Sequence, residues 1–452
     1  MDTSTTTPHF EHSNHPQDDL HRDHLTRIGN RRFFEARLNE RVAVASVLSA
    51  NTTVLILDLD RFKAVNDSLG HAVGDALLCL VVQRASSLLG PDDTFARLGG
   101  DEFGMVIEAE AKVDVLCGNL TELIQRPYLI DGCSVNIGVS IGIACVPKDG
   151  NDRASVMRSA DLALYKAKSS GRNCFMRFEP KMEANAVEKR ELEVSLRKAL
   201  PLRQIVLHYR PQIDVRSRKL LGVEAVLRWK HPTRGLLEAP DFIPLAEEIG
   251  VVNAIGEWSL KTVCREAARW EHDVTFALSV SPIFLESKRF YGAVTLALSN
   301  SGIEGNRLEL EVTEDLLLRD AKTVVAMLEC LQTIGVRVAI DSFGTGMASL
   351  SQMVGFPLDK IKIAPTLVAE GSSGLKERAV FRAIAALGAS LGIATMVEGI
   401  ETPEHLDHIH EDGCSSVQGC LASQTVSADE LHTLVNSFIV QESQLKMSEV
   451  LI

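Results

Sequence analysis

Between residues 202 and 440, eight short apolar runs recur, separated mostly by segments of helical length and composition. They are QIVLHYRP, LGVEAVLRW, TFALSVS, LELEVTE, GVRVAIDSF, DKIKIA, GIATMVEG and SSVQGC, and nearly every one ends on a polar residue. Eight strand–helix units in roughly 240 residues predict a (β/α)8 barrel. Barrels of this kind place their chemistry at the C-terminal ends of the strands, where these polar residues fall.

Residues 23–178 carry a different pattern, that of a mixed α/β domain. TVLILDLD (53–60) is a continuous apolar run ending in acids, the mark of a buried strand. GDALLCLVVQRASSLL (74–89) has helical length and spacing, and 134–146 is rich in strand formers. Residues 155–173 read as a helix closed by Gly171. From Phe95 to Ile107 the chain reads strand, turn, strand, with Gly99-Gly100 as the turn pair.

Asp58 and Asp60 are two apart on a strand end and so share a face. Asp101 and Glu102 follow the Gly-Gly turn directly. If the strand neighbours the hairpin, three or four carboxylate oxygens converge. Hard oxygens suit Mg²⁺, which takes one or two carboxylates and fills its shell with substrate phosphates. Glycines ahead of the acids let a bulky ligand approach the backbone. Taken alone, the Gly-Gly-Asp-Glu tetrapeptide reads equally well as a solvated hairpin tip.

The formal net charge is −13. That disfavours non-specific nucleic-acid binding, and an anionic ligand needs a local cation cluster or a metal. The nine cysteines are scattered with no CxxC, and Cys79, Cys117, Cys133 and Cys145 sit in apolar surroundings. Buried free thiols are expected rather than disulfides or a zinc site. No apolar run reaches the ~18 residues of a membrane span, and no signal-peptide pattern opens the chain, so a cytoplasmic protein is expected. Residues 1–22, polar and rich in His, are expected to be a disordered tail. Residues 179–200 read as a helical linker ended by Pro201, residues 201–440 as the barrel domain, and residues 441–452 as a C-terminal tail.

RLGGDEF (97–103) resembles the signature of GGDEF-domain diguanylate cyclases. DHLTRIGNRRFF (23–34) is similar to that family's opening, with Arg27 where Gly is usual. DLDRFKAVNDSLGHAVGDALL (58–78), SIGIA (140–144) and ADLALYKAKSSGRN (160–173) extend the resemblance over about 150 residues. The resemblance implies a nucleotidyl-cyclase-like domain that joins two GTP molecules into cyclic di-GMP with release of pyrophosphate. It implies that Asp58, the Leu59 carbonyl and Asp101 hold Mg²⁺ (or Mn²⁺), with Glu102 assisting. Asp101 is also placed to take the proton of the attacking 3′-hydroxyl, and Lys63 to stabilise phosphate charge. Asn66 and Asp75 are implied to read guanine, His71 to lie against the substrate, and Lys168 and Arg172 to contact phosphates. Each domain of this family holds one GTP, so a homodimer is implied. The family's Arg-x-x-Asp inhibition window reads GPDD (90–93) here, with Gly90 in place of Arg, so weak or absent product inhibition is expected.

The segment 222–250 resembles the start of EAL-domain cyclic di-GMP phosphodiesterases, and LELEVTED, FGTG, KIKI, EGIET and QG continue the likeness across the barrel. The resemblance implies two metals at the barrel mouth. Glu224, Glu311, Asp341, Lys362, Glu398 and Gln418 are retained at the matching positions. Val226 stands mildly for Leu. Ser279 replaces a metal-ligating Asn, Ser342 and Ala364 each replace an Asp, and Arg210 stands where Gln is common. Losing even one outer ligand costs roughly 10–100-fold in affinity or activity. An inactive barrel that binds ligand, regulates or dimerises is therefore expected. Two alternatives stand beside it: a bifunctional enzyme that also hydrolyses cyclic di-GMP to pGpG, and a non-enzymatic nucleotide sensor.

Overall fold

The computed structural model describes residues 19–48, 51–108, 110–270, 274–318, 321–344, 355–368, 374–400, 406, 409–419 and 425–449. The chain divides into two compact units at Arg190/Glu191. The N-terminal unit holds β1 (Gly29–Asn30), α1 (Arg31–Leu48), β2 (Thr52–Asp60), α2 (Phe62–Leu69), α3 (His71–Ser86), β3 (Thr94–Gly99) and β4 (Glu102–Ile107). It continues with α4 (Val113–Gln125), β5 (Tyr128–Ile130), β6 (Cys133–Val135), β7 (Gly138–Val146), α5 (Arg153–Ser169) and β8 (Phe175–Arg177).

Its main sheet has the order β1-β3-β4-β2-β7-β8, so β2 is central, antiparallel to both β4 and β7. The strand is buried along its length except at Asp58 and Asp60. Its alternation splits the core. Leu55, Leu57 and Leu59 pack with Leu77, Val81 and Leu120, while Val54 and Ile56 pack with Phe34, Leu38 and Leu164. Helix α5 lies directly on β7 because Gly142 leaves it room; a Cβ there would stand 2.1 Å from the Ala160 carbonyl.

The second unit contains an eight-stranded closed barrel. Helix α6 (Pro180–Ala199) precedes β9 (Ile205–Asp214), β10 (Leu220–His231), β11 (Gly235–Glu238), α7 (Ala239–Glu248), α8 (Val252–Ala267) and β12 (Thr275–Ser279). After α9 (Pro282–Leu285) and α10 (Phe290–Ser301) come β13 (Leu308–Thr313), α11 (Ala321–Thr333), β14 (Arg337–Phe343) and β15 (Lys360–Ile363). The unit ends with α12 (Gly374–Leu391), β16 (Ala394–Glu398), β17 (Ser416–Gln418), β18 (Val426–Ser427) and α13 (Ala428–Glu449). Strands β10, β12, β13, β14, β15, β16 and β17 run parallel, and β9 closes the ring between β17 and β10.

All eight expected strands are present, but the architecture departs from the expected repeat in its first unit. β9 runs antiparallel to both neighbours. Only residues 215–219 separate β9 from β10, and a parallel crossover needs about a dozen residues or more. Instead Asp214 folds the chain back, its Oδ1 accepting from the amides of Arg216 and Ser217 and from the Ser217 hydroxyl. Two short strands, β11 and β18, lie outside the eight-run pattern and pair at the edges of β10 and β9.

Of the expected N-terminal tail, residues 1–18 lie outside the described residues. Residues 19–22 are built in: Asp19–His21 form a 3-10 turn, and the Leu20 and Arg22 carbonyls accept from the Asn30 amide. The expected C-terminal tail from 441 is helical as far as Glu449. Among the expected buried thiols, Cys117 and Cys145 are buried, Cys79 is half-buried and Cys133 is exposed on the separate β5–β6 hairpin. Among the described residues no helix is long and apolar enough to cross a membrane.

Candidate functional site

In the N-terminal unit the register of β2 against β4 sets Asp58 opposite Glu102. The Leu59 amide donates to the Asp101 carbonyl at 3.3 Å. The strand end and the hairpin tip are therefore neighbours. Helix α5 brings the Lys168 ammonium to within 2.6 Å of the Asp58 carboxylate. Burial pushes the Asp58 carboxyl up; Lys168 opposes this, and the charges of Asp101 and Glu102 add to it. The site thus carries surplus negative charge on hard oxygens, which fits a divalent cation.

Asp60 does not join this group, although the two-residue spacing predicts it. Its Oδ1 accepts from the Ser140 hydroxyl at 2.7 Å and its Oδ2 from the Asn173 amide at 2.9 Å. Asp60 instead ties the loop that carries Arg172 to the sheet. Asn66 packs against Gly74, where a Cβ would stand 1.9 Å from its Oδ1, so the α2–α3 corner places Asn66 one residue from Asp75. Lys63, His71, Asp75 and Arg172 are exposed on α2, on α3 and after α5. Arg172 and Arg61 line a separate cavity of about 470 Å³ beside Asp60.

At the mouth of the barrel, Lys362 is fully buried with its ammonium among four carboxylates. Glu398 lies at 2.8 Å, Glu311 at 2.9 Å, Asp341 at 3.4 Å and Glu224 at 3.5 Å. The strand register explains the convergence: Ser279 pairs Glu311, Thr313 pairs Asp341, Glu398 pairs Gln418 and Glu224 pairs Arg210. Gln418 donates to Glu224 and Ser279 to Glu311.

Burial pushes Glu311 well up, and Lys362 offsets this only in part because Glu224, Asp341 and Glu309 repel it. For Lys362, burial is outweighed by Glu311 and its neighbours, which hold the ammonium well above the lysine range. For Glu224, burial is outweighed by Lys362, Arg210 and Gln418, which hold it low. On acidification Glu311 is therefore neutralised before Glu224.

Glu311 Oε1 and Gln418 Oε1 are buried acceptors with no hydrogen-bond donor, and Asp341 Oδ1 faces the Lys362 ammonium at 3.4 Å. Unpaired buried acceptors are costly, and a cation or ordered water is what Glu311 Oε1 and Gln418 Oε1 lack. Ser342, one of the three substituted positions, sits in left-handed backbone (φ 53°) where the β14–β15 register shifts. Ala364 is buried. A cavity of about 470 Å³ runs from Arg210, Glu224, Asp341 and Glu398 to an apolar end at Ile243, Ile255 and Phe284. Among the described residues no three His, Cys, Asp or Glu side chains form a metal-holding array by themselves. A cation in the N-terminal site would need the Leu59 carbonyl and phosphate oxygens as well.

Residues 20–174 match the family described as "Diguanylate cyclase, GGDEF domain", and residues 193–425, more than half of the chain, match the EAL domain. The chain belongs to the tandem GGDEF–EAL family. Domains of both kinds generally depend on divalent metals. This GGDEF–EAL chain is 40% identical over 415 residues to the bifunctional diguanylate cyclase/cyclic di-GMP phosphodiesterase MucR of Pseudomonas aeruginosa. The match covers 90% of the chain but 61% of MucR, so the chain spans under two thirds of that relative's length. The solved PaMucR phosphodiesterase in complex with c-di-GMP is 37% identical, with a TM-score of 0.52, and the match covers 53% of this chain and 99% of that one. The S helix-GGDEF-EAL structure of Vibrio cholerae LapD, also bound to c-di-GMP, is 17% identical with a TM-score of 0.57. It covers 90% of this chain and 97% of its own, and it shares the fold.

Several GGDEF–EAL site contacts go to backbone carbonyls or join residues remote in sequence, and neither kind is legible from side-chain identity. Arg97 donates twice to the Gly100 carbonyl, and Arg31 donates to the Leu98 carbonyl. Beneath the barrel site, Lys360 bonds Glu309 at 2.6 Å and Gln212 at 3.1 Å. This lower rung has a legible signal: Glu309 and Glu311, like Lys360 and Lys362, are two apart on strands and so share the inward face.

Proposed function

We propose that the GGDEF domain condenses two GTP molecules into cyclic di-GMP, and that the EAL barrel binds cyclic di-GMP and regulates the cyclase without efficient hydrolysis. The first part rests on the junction of Asp58, Leu59 and Asp101 with Lys168. Asp101 accepts the proton of the 3′-hydroxyl as its oxygen attacks the α-phosphorus of the second GTP. Lys63, Lys168 and Arg172 offset charge on the phosphates as pyrophosphate leaves. Asp75 accepts from guanine N1–H and the exocyclic amine together, a pattern adenine lacks, with Asn66 and His71 beside it. Asp58, Asp101, Glu102 and the Leu59 carbonyl hold Mg²⁺ or Mn²⁺, which supplies charge neutralisation and activation of the hydroxyl. Two GGDEF domains, each with one GTP, face each other in a homodimer. GTP supply places the protein in the cytoplasm.

For the barrel, the reading rests on Ser279, Ser342 and Ala364, which together remove one amide and two acids from a set that acts as a unit. A second reading, that the barrel cleaves cyclic di-GMP to pGpG, is favoured by the bifunctional name of MucR and by the unpaired oxygens of Glu311 and Gln418.

With GTP and Mg²⁺, two pyrophosphates are expected per cyclic di-GMP, and the rate per chain rises with chain concentration. A rate per chain that is constant on dilution contradicts the two-domain reading. The raised Asp58 pKa adds a pH arm. Asp58 takes up its proton at a higher pH than an ordinary aspartate, and that proton competes with the cation. The Mg²⁺ concentration for half-maximal rate therefore rises on acidification before ordinary aspartates titrate. With the cation absent the sign reverses: the share of stability linked to this group is present below its unfolded pKa and is lost as pH rises through the folded one.

A further inference from the structure

We propose that Arg31 and Arg97 are positioning residues for the cyclase, holding the Gly99–Gly100 turn from its two flanks so that Asp101 and Glu102 face the end of β2. The inference rests on the cyclase reading of the N-terminal domain. Gly99 and Gly100 lie at φ 149° and 55°, and a Cβ on either would meet nothing within 4 Å. Leu98 packs into the core ahead of the turn, but the two glycines have no side chain to hold it. Hydrogen bonds to three carbonyls fix its backbone, at Leu98, Gly100 and Asp101, and each comes from a different element.

Arg31, the first residue of α1, donates from Nε to the Leu98 carbonyl at 2.8 Å, and its Nη2 lies 3.9 Å from Glu102. Arg97 on β3 forks onto the Gly100 carbonyl from Nε at 2.9 Å and Nη2 at 2.8 Å. Its remaining Nη1 donates to Asp23 at 3.2 Å, and Asp23 is itself fixed by the amide and hydroxyl of Thr26. The third bond is the Leu59 amide to the Asp101 carbonyl. Removing either guanidinium leaves the acids present but unaimed. Preorganised geometry is what a metal-assisted transfer requires before its substrate arrives. The Arg97 side chain is 12% exposed and the Arg31 side chain 55%, so Arg97 carries the larger share.

The test uses the full chain with Arg97→Met, Arg31→Met and Arg97→Lys. Mn²⁺ binding is titrated by electron paramagnetic resonance with and without 3′-deoxy-GTP, which cannot react. The Mn²⁺ whose binding depends on the nucleotide reports the GGDEF site. For Arg97→Met the half-saturation point is expected to rise roughly 10–100-fold, with a matching fall in kcat at a fixed metal concentration. KM for GTP stays within about twofold, because Asn66 and Asp75 are untouched. Arg97→Lys recovers little, since a point charge cannot reproduce the fork. Arg31→Met shows the same signature, smaller. An unchanged Mn²⁺ half-point in the variants overturns the proposal, whether or not activity falls, because a merely structural role lowers the active fraction without moving affinity. If Arg97→Met does not fold, Arg97→Lys and Arg31→Met decide by the same readout. Wild-type protein that binds Mn²⁺ with 3′-deoxy-GTP but makes no cyclic di-GMP from GTP sinks the cyclase reading instead, and leaves the turn clamp to be judged by the titration.

Discussion

Asp101→Ala is expected to lower cyclic di-GMP formation by roughly 10²–10⁴-fold, the range that a positioned acid–base group supplies, while leaving the fold in place. Asp101 is asked to do two things, to share the cation with Asp58 and to accept the hydroxyl proton. Its side chain is half-buried, and its backbone carbonyl accepts from the Leu59 amide of the sheet. Alanine keeps that bond. Stability should change by no more than about 0.5 kcal/mol, as for surface substitutions generally. Thermal melting beside product chromatography checks both halves. Undiminished turnover in the variant removes Asp101 from the reaction, and a collapsed melting temperature makes it a structural residue.

The second large effect is in the barrel. Lys362→Met should destabilise the EAL domain by about 3–5 kcal/mol, the usual result of removing one partner from a buried ionic cluster. The reason is the company its ammonium keeps: Glu224, Glu311, Asp341 and Glu398 all lie within 3.5 Å, and no other lysine reaches them among the described residues. Methionine fills the volume but leaves the carboxylates to repel one another. The pH dependence separates this from a simple packing defect. Glu311 and Glu398 are already held above the ordinary glutamate range, burial first, and loss of the ammonium raises them further. Groups with raised folded pKa values contribute stability at low pH and lose it as pH rises through the folded value. The deficit of Lys362→Met should therefore shrink on acidification, and Lys362→Arg should show a smaller one. Urea unfolding of the EAL domain at several pH values measures this. A deficit independent of pH contradicts the electrostatic account.

The alternation of apolar runs with helical stretches was enough to read all eight barrel strands, because strand burial writes itself into local composition. Strand direction was less visible. β9 reads like its neighbours, and only the five-residue gap at 215–219, too short for a crossover, carries the information that it runs the other way. The same limit applies at the cyclase site. A spacing of two places Asp58 and Asp60 on one face, but Lys168 sits beside the first and Ser140 and Asn173 beside the second. Those partners come from chain segments 80 or more residues away, so the spacing that puts Asp60 on the face of Asp58 does not show that it is a tie. The roles of Arg31 and Arg97 are illegible in the sequence for a related reason. Their bonds go to backbone carbonyls, which leave no mark on side-chain identity. The convergence on Lys362 likewise depends on the register of four strands.

The most direct test of the account is a paired product assay on the purified chain with Mg²⁺, GTP in one tube and cyclic di-GMP in the other, read by chromatography. The account predicts cyclic di-GMP and pyrophosphate in the first and unchanged cyclic di-GMP in the second. An untouched GTP tube contradicts the cyclase assignment. Rapid appearance of pGpG in the second tube means that the barrel works despite Ser279, Ser342 and Ala364, and contradicts its regulatory reading.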